Sequence, residues 1–123
     1  MSLLYTKTKI FHFTDKLDSL PRQSAQIKPP LHIRIKPTNV CNHNCCYCAY
    51  RSENLQLGKD MVTRDSIPHD KMFEIINDLI EMGVQAVTFS GGGEPFCYPH
   101  LAEAAEKLAA SPIQFAALTN GSN

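Results

Sequence analysis

The sequence lacks net charge: 12 Lys and Arg balance 12 Asp and Glu. That balance excludes an electrostatic grip on nucleic acid or on an anionic membrane as the basis of function. It also lacks any apolar run approaching the roughly 20 residues of a membrane span. Met1 to Lys9 contain no apolar core of the kind a secretory signal needs, so the expected compartment is the cytoplasm. A phosphate-binding loop is missing too. No G-x-G-x-x-G occurs, and no Lys-Ser/Thr follows the single glycine cluster.

Cysteine is what the sequence does have. Five are present, and four of them fall between Cys41 and Cys48. An odd, clustered set in a reducing compartment argues against disulfides and for a metal or redox site. Cys41, Cys45 and Cys48 stand at C-x3-C-x2-C, so one short loop can bring three sulfurs to a common centre. Thiolates suit both zinc and iron–sulfur clusters. A closed four-ligand zinc set can be written from Cys45, Cys48, Cys97 and His100, but it leaves Cys41 and the glycine cluster unexplained. An iron–sulfur cube held by three cysteines instead leaves one iron open. Using Cys46 in place of Cys45 would give C-x4-C-x-C, a strained wrap around one cube. Cys46 therefore reads as a small core residue or one packed behind the ligands. Cys97 reads as a thiol near the site, and His43 as a loop residue facing solvent or the site mouth.

The length allows one domain with a real core. Residues 1–30 read as an N-terminal extension, with a short strand or turn at Phe11 and Phe13. One helical turn at Leu17 and Leu20 follows, then a linker closed by Pro29-Pro30. Residues 31–123 read as the core. Leu31–Lys36 alternates apolar and polar residues, the mark of a strand, and Pro37 ends it. Residues 49–66 are polar and read as loop. Met72, Phe73, Ile76, Leu79 and Ile80 form an apolar stripe at helical spacing, predicting a helix over Pro68–Met82 capped by Gly83. Val84–Phe89 is a second strand. A second helix is expected over His100–Ala110, with Leu101, Ala105, Leu108 and Ala109 inward. Ile113–Leu118 is a third strand.

This order predicts an α/β fold of parallel strands joined by right-handed crossover helices. Ligands in such folds bind beyond the carboxyl ends of the strands. The cysteine loop, Ser90–Pro95 and Thr119-Asn120 all lie at those ends, so three special loops should converge. Gly91, Gly92 and Gly93 permit close backbone approach to a ligand. Glu94 beside exposed carbonyls suits a cation such as an ammonium group.

Cys41-x3-Cys45-x2-Cys48, with Tyr47 just before the last cysteine, resembles the signature of the radical S-adenosylmethionine (radical SAM) enzymes. Gly92-Gly93-Glu94-Pro95 after the second strand resembles that family's GGE motif, and the element order over residues 31–121 matches its opening. The resemblance implies the first half of a partial (β/α)6 TIM-like barrel. It implies a four-iron four-sulfur (4Fe-4S) cluster on Cys41, Cys45 and Cys48, with S-adenosylmethionine chelating the open iron. Gly92, Gly93 and Glu94 would receive the cofactor's amino group, with Gly91 also in the cofactor-binding loop. The Tyr47 backbone would meet the adenine while its ring shields the cluster, and Asn120 would add a contact. The implied reaction is reductive cleavage to a 5′-deoxyadenosyl radical that abstracts hydrogen from a substrate. No side chain is assigned as acid, base or nucleophile. An electron donor such as flavodoxin or ferredoxin is the implied partner, and a peptide or small metabolite the favoured substrate. The alternative is a non-catalytic zinc or iron–sulfur module. Three strands are half of such a barrel, so an uncovered edge is expected to leave the isolated chain unstable or oligomeric.

Overall fold

Leu31 is where sheet structure begins: its carbonyl accepts from the N–H groups of both Gln85 and Ala86 and opens a parallel pairing. The computed structural model describes residues 11, 13, 14, 28–52 and 58–122. The chain divides into two units, Met1–Pro30 and Leu31–Asn123, and all elements named here belong to the second. The helical turn read at Leu17 and Leu20 lies outside the described residues, as does most of the segment around Phe11 and Phe13.

The described elements are β1 (His32–Ile35), α1 (His69–Met82), β2 (Ala86–Phe89), α2 (Leu101–Ala109) and β3 (Gln114–Ala117). A 3-10 turn, Pro95–Cys97, separates β2 from α2. The strands form one parallel sheet in the order β1-β2-β3. Its register runs from His32–Ala86–Gln114 to Ile35–Phe89–Ala117. The fold is therefore α/β with a helix in each crossover, consistent with the opening part of a (β/α) barrel.

Each strand spans four residues, shorter than its apolar pattern. Pro37 has no N–H to continue β1. Val84 instead closes α1, donating to the Leu79 carbonyl while Gly83 adopts φ 75°. This αL cap is the position where glycine avoids a Cβ clash. Pro68, with ψ 147°, precedes the helix rather than joining it.

Met72, Ile76 and Leu79 of α1 are buried against Ile35, Val87 and Phe89 in the core. Each such side chain contributes roughly 1.5–3 kcal/mol through burial. The inward face of α2 differs from expectation: Ala104 and Leu108 are buried, Ala105 is half-buried and Ala109 is exposed. Ala104 lies three residues after Leu101 and four before Leu108, so it shares their stripe.

The pleat gives the sheet two different faces. Ile33, Ile35, Val87 and Phe89 point toward the helices. The opposite face of β1 carries His32 and Arg34, continued by Lys36, all exposed. His32 Nε2 lies 2.9 Å from Thr88 Oγ1 across that face. An open apolar cavity of about 460 Å³ lies between α2 and β3, walled by Leu101, Ala105, Phe115 and Ala117.

Candidate functional site

Thr38, directly after β1, organises the neck of the cysteine loop. It is 2% exposed. Its hydroxyl lies 2.7 Å from Ser66 Oγ and accepts from Val40 N–H at 3.0 Å. Thr38 and Ser66 form an antiparallel bridge. Asn39 N–H donates to the Asp65 carbonyl, and Ile67 N–H to that of Pro37, each at 2.8 Å. Residue 66 thus belongs to a paired segment rather than to the open loop its composition suggests.

Beyond this neck, Cys41, Cys45 and Cys48 are each half-buried, and no cysteine is in a disulfide. Cys48 N–H donates to the Cys45 carbonyl at 3.0 Å, curling the C-x2-C half into a turn. His43 N–H donates to Cys41 Sγ at 3.4 Å. Arg51 ties the loop from behind, reaching the carbonyls of His43 at 3.3 Å and Asn39 at 3.1 Å. Its Nε is buried without a partner. Cys46 is exposed, which corrects the expectation of a core position. Tyr47 is 81% exposed, and a hydrogen bond to Cys45 is the first cause of its raised pKa.

The glycine loop is laid against this segment by backbone contacts. Gly93 N–H donates to the Thr38 carbonyl at 3.1 Å, and Glu94 N–H to that of Val40 at 2.8 Å. A Cβ on Gly93 would overlap the Val40 oxygen and the Asn39 backbone. Glycine is required here by close approach of two chains, since Gly93 has no positive φ.

Glu94 is 3% exposed and joins the second loop to the third. Its Oε1 accepts from Phe96 N–H at 3.1 Å, capping the 3-10 turn, and its Oε2 accepts from Asn120 N–H at 2.7 Å. Burial acts to raise its pKa. The hydrogen bonds from Asn120 and Phe96, one from the Thr119 hydroxyl, and the charge of His43 outweigh that, holding the carboxyl below its ordinary value. The Asn120 side chain donates to Asn42 Oδ1 at 2.8 Å. Ser122 Oγ accepts from Asn42 Nδ2 at 3.1 Å and lies 2.9 Å from His43 Nε2. The three loops beyond the strand ends thus meet.

Asn42 and Ser122 escaped the sequence reading, and His43, read as a loop residue facing solvent or the site mouth, lies against Ser122 of the third loop. Only the partner loop, some 80 positions away, reveals their part. The zinc set Cys45, Cys48, Cys97 and His100 is not gathered. Among the described residues, the group of three or more potential ligands at single-ion spacing is His69, His100 and Glu103.

The family model described as the Radical SAM superfamily matches residues 35–123. The chain belongs to the radical SAM superfamily. An uncharacterised protein of Archaeoglobus fulgidus is 32% identical over 82 residues, covering 64% of this chain and 18% of that protein. An S-adenosylmethionine-dependent nucleotide dehydratase of Flammeovirga pacifica is 29% identical over 83 residues, covering 68% of this chain and 28% of that protein. The chain thus corresponds to less than a third of either relative. No solved structure matches it. Among the described residues, no helix of this radical SAM protein is long and apolar enough to cross a membrane.

The donor set fits the cluster that the superfamily implies. Three cysteines outside any disulfide occupy one hydrogen-bonded loop, and a backbone N–H is already directed at one sulfur. Hydrogen bonds of that kind tune iron–sulfur centres. The orphaned Arg51 Nε adds an unspent donor on a residue that grips the same loop.

Proposed function

We propose that Cys41, Cys45 and Cys48 hold a 4Fe-4S cluster and that the facing glycine loop holds S-adenosylmethionine. The observation that carries this reading is the meeting of the cysteine loop with Gly93 and Glu94. When bound, the pair supplies one-electron cleavage of the sulfonium to a 5′-deoxyadenosyl radical that takes hydrogen from the substrate. The protein's part is to bind, orient and shield.

Carbonyls of Gly91, Gly92 and Gly93 accept the cofactor's ammonium group. Glu94, already accepting from Phe96, Asn120 and Thr119, would add negative charge beside these carbonyls. Its first duty is to fix the distance between the second and third loops. Asn120, held by Glu94 and Asn42, presents the end of β3 to the cofactor. Tyr47, exposed beside Cys45, would offer its backbone to the adenine and its ring as a shield for the cluster. A cytoplasmic setting, where clustered thiols stay reduced, would suit the site, with a flavodoxin- or ferredoxin-like electron donor.

The substrate we favour is a small anionic metabolite. His32, Arg34 and Lys36 line the sheet face that the helices leave open. The Flammeovirga pacifica relative, named for a nucleotide substrate, supports the same class. Charge reversal of Arg34 should weaken such a substrate while sparing cofactor cleavage.

Anaerobic reconstitution with iron and sulfide tests the core proposal. The expected product is brown, and its reduced electron paramagnetic resonance signal shifts when S-adenosylmethionine is added. Cys41→Ala should abolish the cluster and Cys46→Ala should spare it. A colourless protein holding zinc on the same cysteines would refute the reading.

A further inference from the structure

His69, His100 and Glu103 form a second cluster, independent of the cysteines. His69 opens α1, His100 immediately precedes α2, and Glu103 lies in the first turn of α2. Their donor atoms all lie within 4.8 Å of one another. His69 Nε2 is 3.1 Å from Glu103 Oε2, and His100 Nδ1 is 3.5 Å from Glu103 Oε1. A tetrahedral zinc site with bonds of about 2.0–2.1 Å has ligand–ligand edges of about 3.3 Å. The two measured separations, one to each oxygen of the Glu103 carboxylate, are comparable to that edge, and a small turn of the exposed carboxylate would bring one oxygen to a shared ion.

The other nitrogen of His69 is also accounted for. Nδ1 lies 2.9 Å from Asp70 Oδ1. A carboxylate on the far side of a ligating imidazole fixes the ring and its tautomer, an arrangement common in metal sites. The His100 ring is set edge-on to His69 at a centroid distance of 4.7 Å and to buried Tyr98 at 5.5 Å. The positive ends of two helices disfavour a cation here. Asp70 and Glu103 together supply two negative charges against it.

We propose that His69, His100 and Glu103 bind one divalent transition-metal ion of the zinc class, with Asp70 positioning His69. The three side chains are only partly buried, so a fourth position stays open to water. The metal would clasp the start of α2, just beyond the glycine loop, to the start of α1. This makes it a brace for the cofactor-binding end of the sheet. The rival explanation is an ion-pair cluster in which protonated His69 sits between two carboxylates. Hydrogen bonds from Asp70, then Glu103, raise the His69 pKa.

Zinc itself is the probe. The cluster-loaded protein is dialysed against zinc, then analysed for iron and zinc and by zinc-edge X-ray absorption. Thiols are alkylated first if iron uptake fails, which keeps this proposal separate from the cluster assignment. One zinc per chain with nitrogen and oxygen ligands only is expected. His69→Ala and His100→Ala should each weaken binding at least tenfold. Asp70→Asn, which leaves all three ligands in place, should weaken it by up to about tenfold, since the Asp70 carboxylate is fully exposed. Unchanged iron content, or an unchanged far-ultraviolet spectrum for alkylated protein, verifies folding. Sulfur ligation, no retained zinc, or binding indifferent to His69 and His100 would overturn the proposal.

Discussion

Replacing Glu94 with Gln tests whether one buried carboxylate ties the β2 loop to the β3 loop. The substitution keeps size and shape. An amide offers one acceptor oxygen where the carboxylate offers two. Whichever way it turns, either Phe96 N–H or Asn120 N–H faces an NH2 group. A buried donor left without a partner costs about 1–3 kcal/mol, and the surviving bond loses about 1 kcal/mol with its charge. The expected loss is about 2–4 kcal/mol, a large part of the 5–15 kcal/mol typical of a domain. Urea unfolding should show a midpoint lowered on the order of 2 M at a typical m of about 1–2 kcal/mol/M. Amide hydrogen exchange should accelerate first at Phe96 and Asn120. The carboxyl's lowered pKa sets the sign of the pH dependence. Its contribution is complete above the unfolded glutamate value of about 4.3 and is lost as pH falls through the lower folded value. Glu94→Gln should remove that part of the acid sensitivity. A variant within about 0.5 kcal/mol of the parent, with Asn120 exchange unchanged, would refute the reasoning.

Further outcomes are expected elsewhere in the site. Gly93→Ala drives a methyl into the Val40 and Asn39 backbone and should cost more than about 2 kcal/mol; calorimetry and loss of the S-adenosylmethionine-dependent spectral shift would register it. Thr38→Val keeps the volume but orphans Val40 N–H and the Ser66 hydroxyl. A loss of about 1–3 kcal/mol in denaturant titration is expected, with weaker cluster retention. Ala109→Glu, on the outward side of α2, should change stability by less than about 0.5 kcal/mol, whereas Ala104→Glu should prevent folding, as circular dichroism would show.

The parts of this molecule that were readable locally are those governed by short-range rules. The α1 stripe, the Gly83 cap and the β1-α1-β2-α2-β3 order each follow from spacing within about 15 residues. Parallel pairing then brought the strand-end loops together. The inward face of α2 was misread because alanines at 102, 104, 105, 109 and 110 give little contrast around the helix, leaving Leu101 and Leu108 to set its orientation. The Thr38–Ser66 bridge joins residues 28 apart in sequence, through hydroxyls that composition alone assigns to loop. Glu94 looked like a ligand-facing carboxylate. Its burial and two backbone donors show that it also carries structural weight, which no local motif reports.

The bridge at Thr38 and Ser66 has a consequence for how metal enters the protein. Residues 40–64 leave and return through one neck, so their circuit is closed by the polypeptide itself. Bringing the ends of such a loop together costs about 3 kcal/mol in chain entropy. The neck's backbone bonds and the Thr38–Ser66 contact offset that cost. Under the proposed ligation, iron and sulfide arriving at Cys41, Cys45 and Cys48 would have only a short arc left to order. Assembly of the proposed cluster would then be a late, local event on a finished sheet, one that could be undone and repeated without dismantling the fold.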